Sequence, residues 1–326
     1  MAAAPLPFDA VARIIRASRS VYFTVHQRPD GDALGSQLAL ARMCRQLGLK
    51  VWMANDDPVP ARYAFLPGCR AIRTGPAGLP ARFDVAFVLE CADLRRAGRC
   101  GPLAKRARTI VNMDHHLNNR MYGAYNIVDP TAPATVLLAE ALREVLDLPL
   151  DRDMAMDFYV GLYTETGGFR YNNTTPAVLR LASRLVEAGV NPKYVGEQVY
   201  ERMPLRRMKL LARALDTLTV RDGVAWMWIA REDLRAVNAT EEDMEDFVEY
   251  PRAVKGVHAA VFMRETPGGD VRVSLRAKSA IPVNRVAEKF DGGGHAYAAG
   301  CTLTRMRAGE ARTRLAAALR PELKRL

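Results

Sequence analysis

Four short apolar runs near the start of the chain limit its fold more than any other feature: VYFTVH (21–26), VWMAND (51–56), DVAFVLE (84–90) and RTIVNM (108–113). A strand with one wet face alternates apolar and polar residues. These runs are apolar almost throughout, the pattern of strands covered on both faces in a parallel sheet. A helical pattern runs from about Asp32 to Leu47, between the first two, and AYNIVD (124–129) reads as a fifth strand leading into the helix ATVLLAEALREVL. Alternating β and α elements predict a doubly wound α/β domain with helices on both faces of a mainly parallel sheet.

The texture then changes twice. Helical patterns dominate from about 133 to 218, including MAMDFYVGLYTET and PAVLRLASRLVEAG. The basic stretch ERMPLRRMKLLARALDTL (201–218) reads as a helical connector. Beyond Val220, GVAWMWIA, GVHAAVFMRE and DVRVSLRAK read as strands, with an acidic helix TEEDMEDFVEY between the first two. Gly268-Gly269-Asp270 fits a hairpin turn joining the last two. The predicted layout is a first domain over 1–190, a helical linker over 191–218 and a smaller α+β domain over 219–326.

Composition excludes several classes. With 49% apolar and 25% charged residues the chain can bury a sizeable core. No apolar run approaches the roughly 20 residues that span a bilayer, and MAAAPLPFDAVARIIRAS lacks the pattern of a signal peptide. A cytoplasmic protein, with no membrane partner, is expected. The five cysteines (Cys44, Cys69, Cys91, Cys100, Cys301) are dispersed without a CxxC pair, so reduced thiols are expected, neither a disulfide framework nor a thiolate zinc site. The net charge of +11, carried mostly by arginine, favours polyanions, with nucleotides or short nucleic acids ahead of acidic proteins.

Three of the strand ends carry chemistry. The first opens into His26-Gln-Arg-Pro-Asp30-Gly-Asp32, the third into Glu90-Cys-Ala-Asp93, and the fourth into Asp114-His115-His116. Ligands of open α/β sheets bind at the carboxyl ends of the strands. Polar residues also follow strands merely because the chain has reached water, but two of only five histidines are adjacent here. A mixed carboxylate and imidazole set suits a divalent metal such as Mn²⁺. So many carboxylates in a small volume raise one another's pKa, and two ions relieve that repulsion. Paired ions are also the usual clamp for hydrolysing a phosphate ester.

HQRPDGDALGS, LECAD, MDHH and GLYTETGGFRY, followed by GGGHAYAAG, resemble the four motifs and the associated C-terminal domain of the DHH phosphoesterase superfamily. The layout resembles its nanoRNase/pAp-phosphatase branch over nearly the whole chain. The resemblance implies that His26, Asp30 and Glu90 hold one Mn²⁺ and that Asp32, Glu90, His115 and Glu165 hold the other, with Mg²⁺ or Co²⁺ as substitutes. It implies that Asp114 orients an imidazole and that His116 faces the scissile phosphate. The family commonly has Asp where Glu90 and Glu165 stand, and a glutamate moves its carboxylate by about 1.5 Å. Asp93 is the alternative bridge.

In the second domain the resemblance implies that Arg276 and the loop Gly292-Gly293-Gly294-His295 grip the substrate, with Ser274 and Lys278 on the same strand face. Consecutive glycines let backbone N–H groups approach an anion. His258 matches no motif and reads as structural. The expected protein is a two-domain Mn²⁺-dependent phosphoesterase with its site in the interdomain cleft. Its expected partners are short RNA oligonucleotides and mononucleotide bisphosphates such as 3′-phosphoadenosine 5′-phosphate (pAp), not long duplex DNA, and a homodimer is compatible with this layout. An inorganic pyrophosphatase of the same superfamily and a non-catalytic nucleotide sensor are the competing expectations. GGGH followed by AYAAG argues against the first, and the retained charge of Glu90 and Glu165 against the second.

Overall fold

The computed structural model describes residues 5–278 and 281–324, apart from the side chain of His295. The chain divides into two compact units, Met1–Arg202 and Met203–Leu326.

In the first unit a six-stranded sheet runs in the order β3-β2-β1-β4-β5-β6, with every neighbouring pair parallel. The strands are β1 (Ser20–Val25), β2 (Lys50–Asn55), β3 (Ile72–Thr74), β4 (Phe83–Leu89), β5 (Ala107–Asp114) and β6 (Tyr125–Val128). The expected doubly wound parallel sheet is therefore present. The short β3 was not legible, because three residues at a sheet edge carry no periodicity. The order reverses between β1 and β4, so their carboxyl ends open the crevice in which such folds bind ligands.

The helices of this unit are α1 (Phe8–Ala17), α2 (Gly31–Gln46), α3 (Thr135–Val145), α4 (Arg152–Glu165), α5 (Pro176–Glu187) and α6 (Pro192–Gly196). Their apolar faces share a core with Val21, Phe23 and Val25 of β1 and with Phe87 and Leu89 of β4. Tyr22, Ala86 and Val88 point to the opposite face. That face is covered by the 3-10 segment Leu94–Arg106, not by an α-helix. Gly98, at φ 55°, and Pro102 interrupt the segment, so its apolar residues reach the sheet without a regular α-helical ladder. Side-chain oxygens cap the helices whose starts matter for the site: Asp30 accepts from Ala33 N at the head of α2, and Asp151 from Met154 N at the head of α4.

Helix α2 is buried along most of its length against α4. A methyl group at Gly35 would run into the Asp157 carbonyl oxygen, and one at Gly161 into Val136 and the Asp32 backbone. Glycine at these two positions lets the two helices approach closely and brings Asp32 and Glu165 to one end of the sheet.

The second unit holds β7 (Thr219–Arg221), β8 (Val224–Ile229), β9 (Ala259–Glu265), β10 (Val271–Ala277), β11 (Gly293–His295) and β12 (Ala298–Leu303), in the order β11-β12-β10-β9-β8-β7. Its helices are α7 (Leu205–Asp216), α8 (Arg231–Ala236), α9 (Glu249–Ala253), α10 (Val283–Glu288) and α11 (Ala308–Leu323). β9 and β10 form the expected antiparallel hairpin, whose turn has Gly269 at φ 81°. The expected acidic helix over 240–250 is instead a 3-10 turn Glu242–Met244 and the start of α9, with Asp246 between them at φ 62°. The Asp243 carboxylate accepts from Thr240 N and from Arg206, and the left-handed Asp246 breaks the helix after that first turn. The unit boundary falls inside the predicted linker 191–218: α6 lies before it, and α7 packs against β8 through Leu210, Leu211 and Ala214.

Gly35→Ala should destabilise the first unit by about 1–3 kcal/mol, the usual penalty for overpacking. Urea unfolding checks this. An unchanged midpoint would mean that the α2–α4 approach is not tight.

Candidate metal centre

The crevice between β1 and β4 collects side chains from five places in the chain. His26 follows β1 and is 7% exposed, with its Nδ1 2.8 Å from Gln27 O. Its Nε2 lies 3.5 Å from Asp30 Oδ2. Asp32, in the first turn of α2, is fully buried. Its Oδ2 accepts from Thr135 N at 2.7 Å and its Oδ1 from Val136 N at 3.0 Å. Ala134 has no side chain to cap α3, so Asp32 caps that helix from a distant part of the chain. Its charge sits at the positive end of the helix.

Glu90 directly follows β4 and adopts a left-handed conformation at φ 56°. Its N–H still bonds Met113 O at 3.1 Å, extending the β4–β5 pairing by one residue as the chain turns. A non-glycine residue held there costs about 1–3 kcal/mol and is a mark of functional sites. The turn leaves the carboxylate 2% exposed, accepting the Thr135 hydroxyl on Oε1.

β5 ends at Asp114, whose Oδ1 accepts from the backbone N–H of His115 at 2.8 Å and of His116 at 3.1 Å. The same oxygen accepts from His116 Nδ1 at 2.6 Å, while Oδ2 accepts from Asn119 Nδ2 at 2.6 Å. Asp114 thus works as the hinge pin of the Asp-His-His turn. His115 Nδ1 is 3.1 Å from Ala132 O. Its Nε2 lies 3.7 Å from Glu90 Oε2 and 3.9 Å from Glu165 Oε1. Two groups of potential metal ligands result, Glu90/His115/His116 and Asp32/His115/Glu165, each with donor atoms within 4.8 Å of one another.

The electrostatics fit divalent cations. Burial, followed by the charges of Asp32 and Asp114, pushes the Glu90 carboxyl well above its ordinary range. Burial raises Glu165 in the same way, against the pull of His115, although its side chain keeps 29% of its surface. Burial takes Asp32 up to about 6, outweighing the His115 imidazole. Burial also works to raise Asp114 and, less so, Asp30, whose side chain keeps 43% of its surface, but their histidine partners win: His26 brings Asp30 below the ordinary range, and His116 brings Asp114 to about 2. Crowded carboxyls that resist ionisation, beside imidazoles, make a donor set of oxygen and nitrogen that a bound cation would satisfy.

Other predicted residues lie elsewhere. Asp93 pairs with Arg95 at 2.8 Å and Arg120 at 3.0 Å and belongs to neither ligand group. Cys91 is fully buried and its thiol is raised by that burial, as for an inert core residue. In the second unit, Ser274 and Arg276 share the half-buried face of β10. Arg276 Nε bonds Glu249 Oε1 at 2.9 Å, and Lys278 Nζ bonds Val254 O at 3.0 Å. Gly293 and Gly294 are part of β11, paired with Gly300 and Ala299 of β12, so the expected loop is one arm of a hairpin. A side chain at Gly292 or Gly294 would strike β12, whereas one at Gly293 would meet nothing within 4 Å. The His295 side chain lies outside the described part of the structure. Thr135 was missed, since a threonine opening a helix reads as an ordinary helix start.

The sequence matches the DHH family, N-terminal domain, over residues 20–162 and the DHHA1 domain over residues 224–324. A Thermus thermophilus protein named bifunctional oligoribonuclease and PAP phosphatase NrnA is 32% identical over 316 residues, covering 97% of this chain and 94% of that protein. A Bacillus subtilis protein of the same name is 26% identical over 293 residues, covering 87% of this chain and 90% of that one. The solved structure of an exopolyphosphatase-related protein from Bacteroides fragilis superposes with a TM-score of 0.91 at 25% identity over 97% of both chains. RecJ from Thermus thermophilus in complex with Mn²⁺ shares the fold, with a TM-score of 0.55 at 16% identity, over 97% of this chain and 55% of that chain.

Two expected outcomes follow from this geometry. Thr135→Val removes the hydroxyl donor to Glu90 but keeps the N–H donor to Asp32. It should weaken Mn²⁺ binding by roughly 10- to 100-fold in calorimetry, as loss of a ligand-orienting partner does, and Thr135→Ser should restore it. Unaltered affinity in Thr135→Val would remove Thr135 from the site. The second outcome concerns pH. The folded carboxyls of Asp32, Glu90 and Glu165 hold their protons to higher pH than those of the unfolded chain. Their contribution to metal-free stability is fully present below about pH 4 and is lost as pH rises through about 6 and beyond. A divalent cation takes over from those protons, so MnCl₂ should raise Tm more at pH 7.5 than at pH 5. Equal increments would contradict the crowded-carboxylate account.

Proposed function

The chain belongs to the DHH family, whose members are metal-dependent phosphoesterases, and from that membership we propose that it is a manganese-dependent enzyme hydrolysing short RNA oligonucleotides and pAp. The observation that carries the proposal is the placing of His115 Nε2 between Glu90 and Glu165, so that two ligand groups overlap on one imidazole at the sheet's switch point. We assign His26, Asp30 and Glu90 to one ion, as the family resemblance implies, and Asp32, Glu90, His115 and Glu165 to the other. The Asp32/His115/Glu165 group supports the second, whereas His26 and Asp30, 3.5 Å apart, belong to neither close-set group. Bound there, the ions supply an activated water and neutralise charge on the phosphoryl group. Glu90 is favoured over Asp93 as the shared ligand, because Asp93 is already neutralised by two arginines.

The protein groups have separable tasks. Asp114 accepts a hydrogen bond from His116 Nδ1 and directs the imidazole Nε2 outward, where the doubly protonated ring would donate to the scissile phosphate. Thr135 and the first N–H groups of α3 hold Asp32 and Glu90 in place. In the second unit Arg276 would exchange its Glu249 partner for substrate phosphate, with Ser274 beside it and the Gly293–His295 arm of β11 two strands away across β12. The names of the relatives support oligonucleotide and pAp hydrolysis. The +11 charge supports a polyanionic substrate. No described helix is long and apolar enough to cross a membrane. The buried, unpaired cysteines accord with a cytoplasmic setting.

A substrate panel with Mn²⁺ tests the proposal: pAp, di- to pentaribonucleotides, a cyclic dinucleotide and pyrophosphate. Turnover of the first two groups with little release from pyrophosphate is expected. A preference for pyrophosphate would overturn the oligonucleotide reading.

A further inference from the structure

Three arginines of the segment after Glu90, with Arg120 beside it, line up along the chain, and one of them differs from the others. Arg95 is paired with Asp93, Arg99 with Asp56, and Arg120 with Asp93. Arg96 has no carboxylate within ion-pair distance among the described residues. Its Nη1 instead lies 3.1 Å from Nε2 of His116, and its side chain is exposed. Arginine has only donors, so Nε2 is the acceptor in this contact and the imidazole proton sits on Nδ1, facing Asp114. The contact uses one of the five guanidinium N–H groups.

Its backbone is held firmly. Arg96 N donates to Asp93 O at 2.9 Å, and Arg96 O accepts from Gln27 N at 2.7 Å. Arg96 thus ties the segment after Glu90 to the residue following His26, across the switch point. A guanidinium without a counter-ion, anchored over a two-ligand-group centre and touching the outward nitrogen of His116, has the chemistry of an anion clamp.

We propose that Arg96 is a catalytic residue that binds a non-bridging oxygen of the scissile phosphoryl group, beside His116. This role rests on the phosphoesterase reading. During hydrolysis the lone pair of the attacking water forms the new P–O bond. The P–O bond to the leaving group breaks with its electron pair onto the leaving oxygen, which takes up a proton as the water gives one up. Arg96 stays protonated throughout and only donates hydrogen bonds to the oxygen on which charge builds. It acts on the phosphorus being cleaved, so its effect is independent of the base or length of the substrate.

Arg96→Ala and Arg96→Lys, made in the full chain, test this. Mn²⁺ content and Tm should remain at wild-type values, because the side chain is exposed and outside both ligand groups. Turnover of a dinucleotide and of bis-p-nitrophenyl phosphate should fall together, by roughly 100-fold or more in Arg96→Ala, with little rescue by lysine. Binding of inorganic phosphate to the Mn²⁺-loaded protein, followed by calorimetry, should weaken by roughly 10- to 100-fold. The same loss should appear on a His116→Ala background, since the proposed contact is with phosphate and not only with the imidazole. Activity within about threefold of wild type on both esters overturns the proposal, as does loss of Mn²⁺ from Arg96→Ala. No further loss of phosphate affinity on the His116→Ala background reduces Arg96 to a positioning residue and also overturns it. If wild-type protein cleaves no ester, the phosphoesterase reading fails on that result. The phosphate-binding comparison then still decides whether Arg96 clamps anions, and equal or absent binding in wild type and Arg96→Ala rejects it.

Discussion

The arrangement of the first unit turns on one electrostatic constraint: several carboxylates are buried together where the sheet order reverses. Asp32 and Glu90 are almost without exposure, and both are driven toward their neutral forms in the metal-free protein. Buried charge of this kind is costly unless it is paired, hydrogen-bonded or neutralised by a metal. The chain manages part of that cost internally. The N-terminus of α3 points its N–H groups at Asp32, Thr135 donates to Glu90, and His26 offsets Asp30. The remainder fits divalent cations, which links the stability of this region to the occupant it is built for.

The same constraint explains local choices that would otherwise look arbitrary. Glu90 adopts a left-handed conformation as it turns off β4, and its side chain there faces His115 and bonds Thr135. Glycines at 35 and 161 let α2 and α4 pack closely enough for Asp32, from the start of one helix, and Glu165, from the end of the other, to share the imidazole of His115. Asp114 occupies the end of β5 and accepts three hydrogen bonds from the two histidines that follow it.

The second unit is organised by different physics. Its sheet is mixed, with β8 and β9 parallel and the other neighbouring pairs antiparallel, and its apolar positions alternate along β10. Ser274 and Arg276 therefore lie on one face while Val273, Leu275 and Ala277 enter the core. The glycine triplet is explained at two of its three positions. Gly292 and Gly294 are needed for close approach to β12, whereas a side chain at Gly293 would meet nothing within 4 Å among the described residues.

Much of the fold was legible in the sequence, because strands buried on both faces must be apolar throughout and helices that cover them must carry a 3.6-residue stripe. Runs such as VYFTVH and DVAFVLE announce a parallel sheet, and the carboxyl-end rule then directs attention to His26, Glu90 and Asp114-His115-His116. The sequence by itself determined the architecture and this short roster of chemical groups, since both follow from residue type and local period. Only the tertiary structure decided the 3-10 cover of the second sheet face, the break in the acidic segment at Asp246 and the capping of α3 by Asp32 from 103 residues away. It also decided that Thr135 bonds Glu90 and that Arg96, alone of its neighbours 95, 99 and 120, meets an imidazole in place of a carboxylate. The physical reason is that a hydrogen bond or ion pair between distant segments leaves no periodic trace in either one. Its existence depends on the path of the backbone between them.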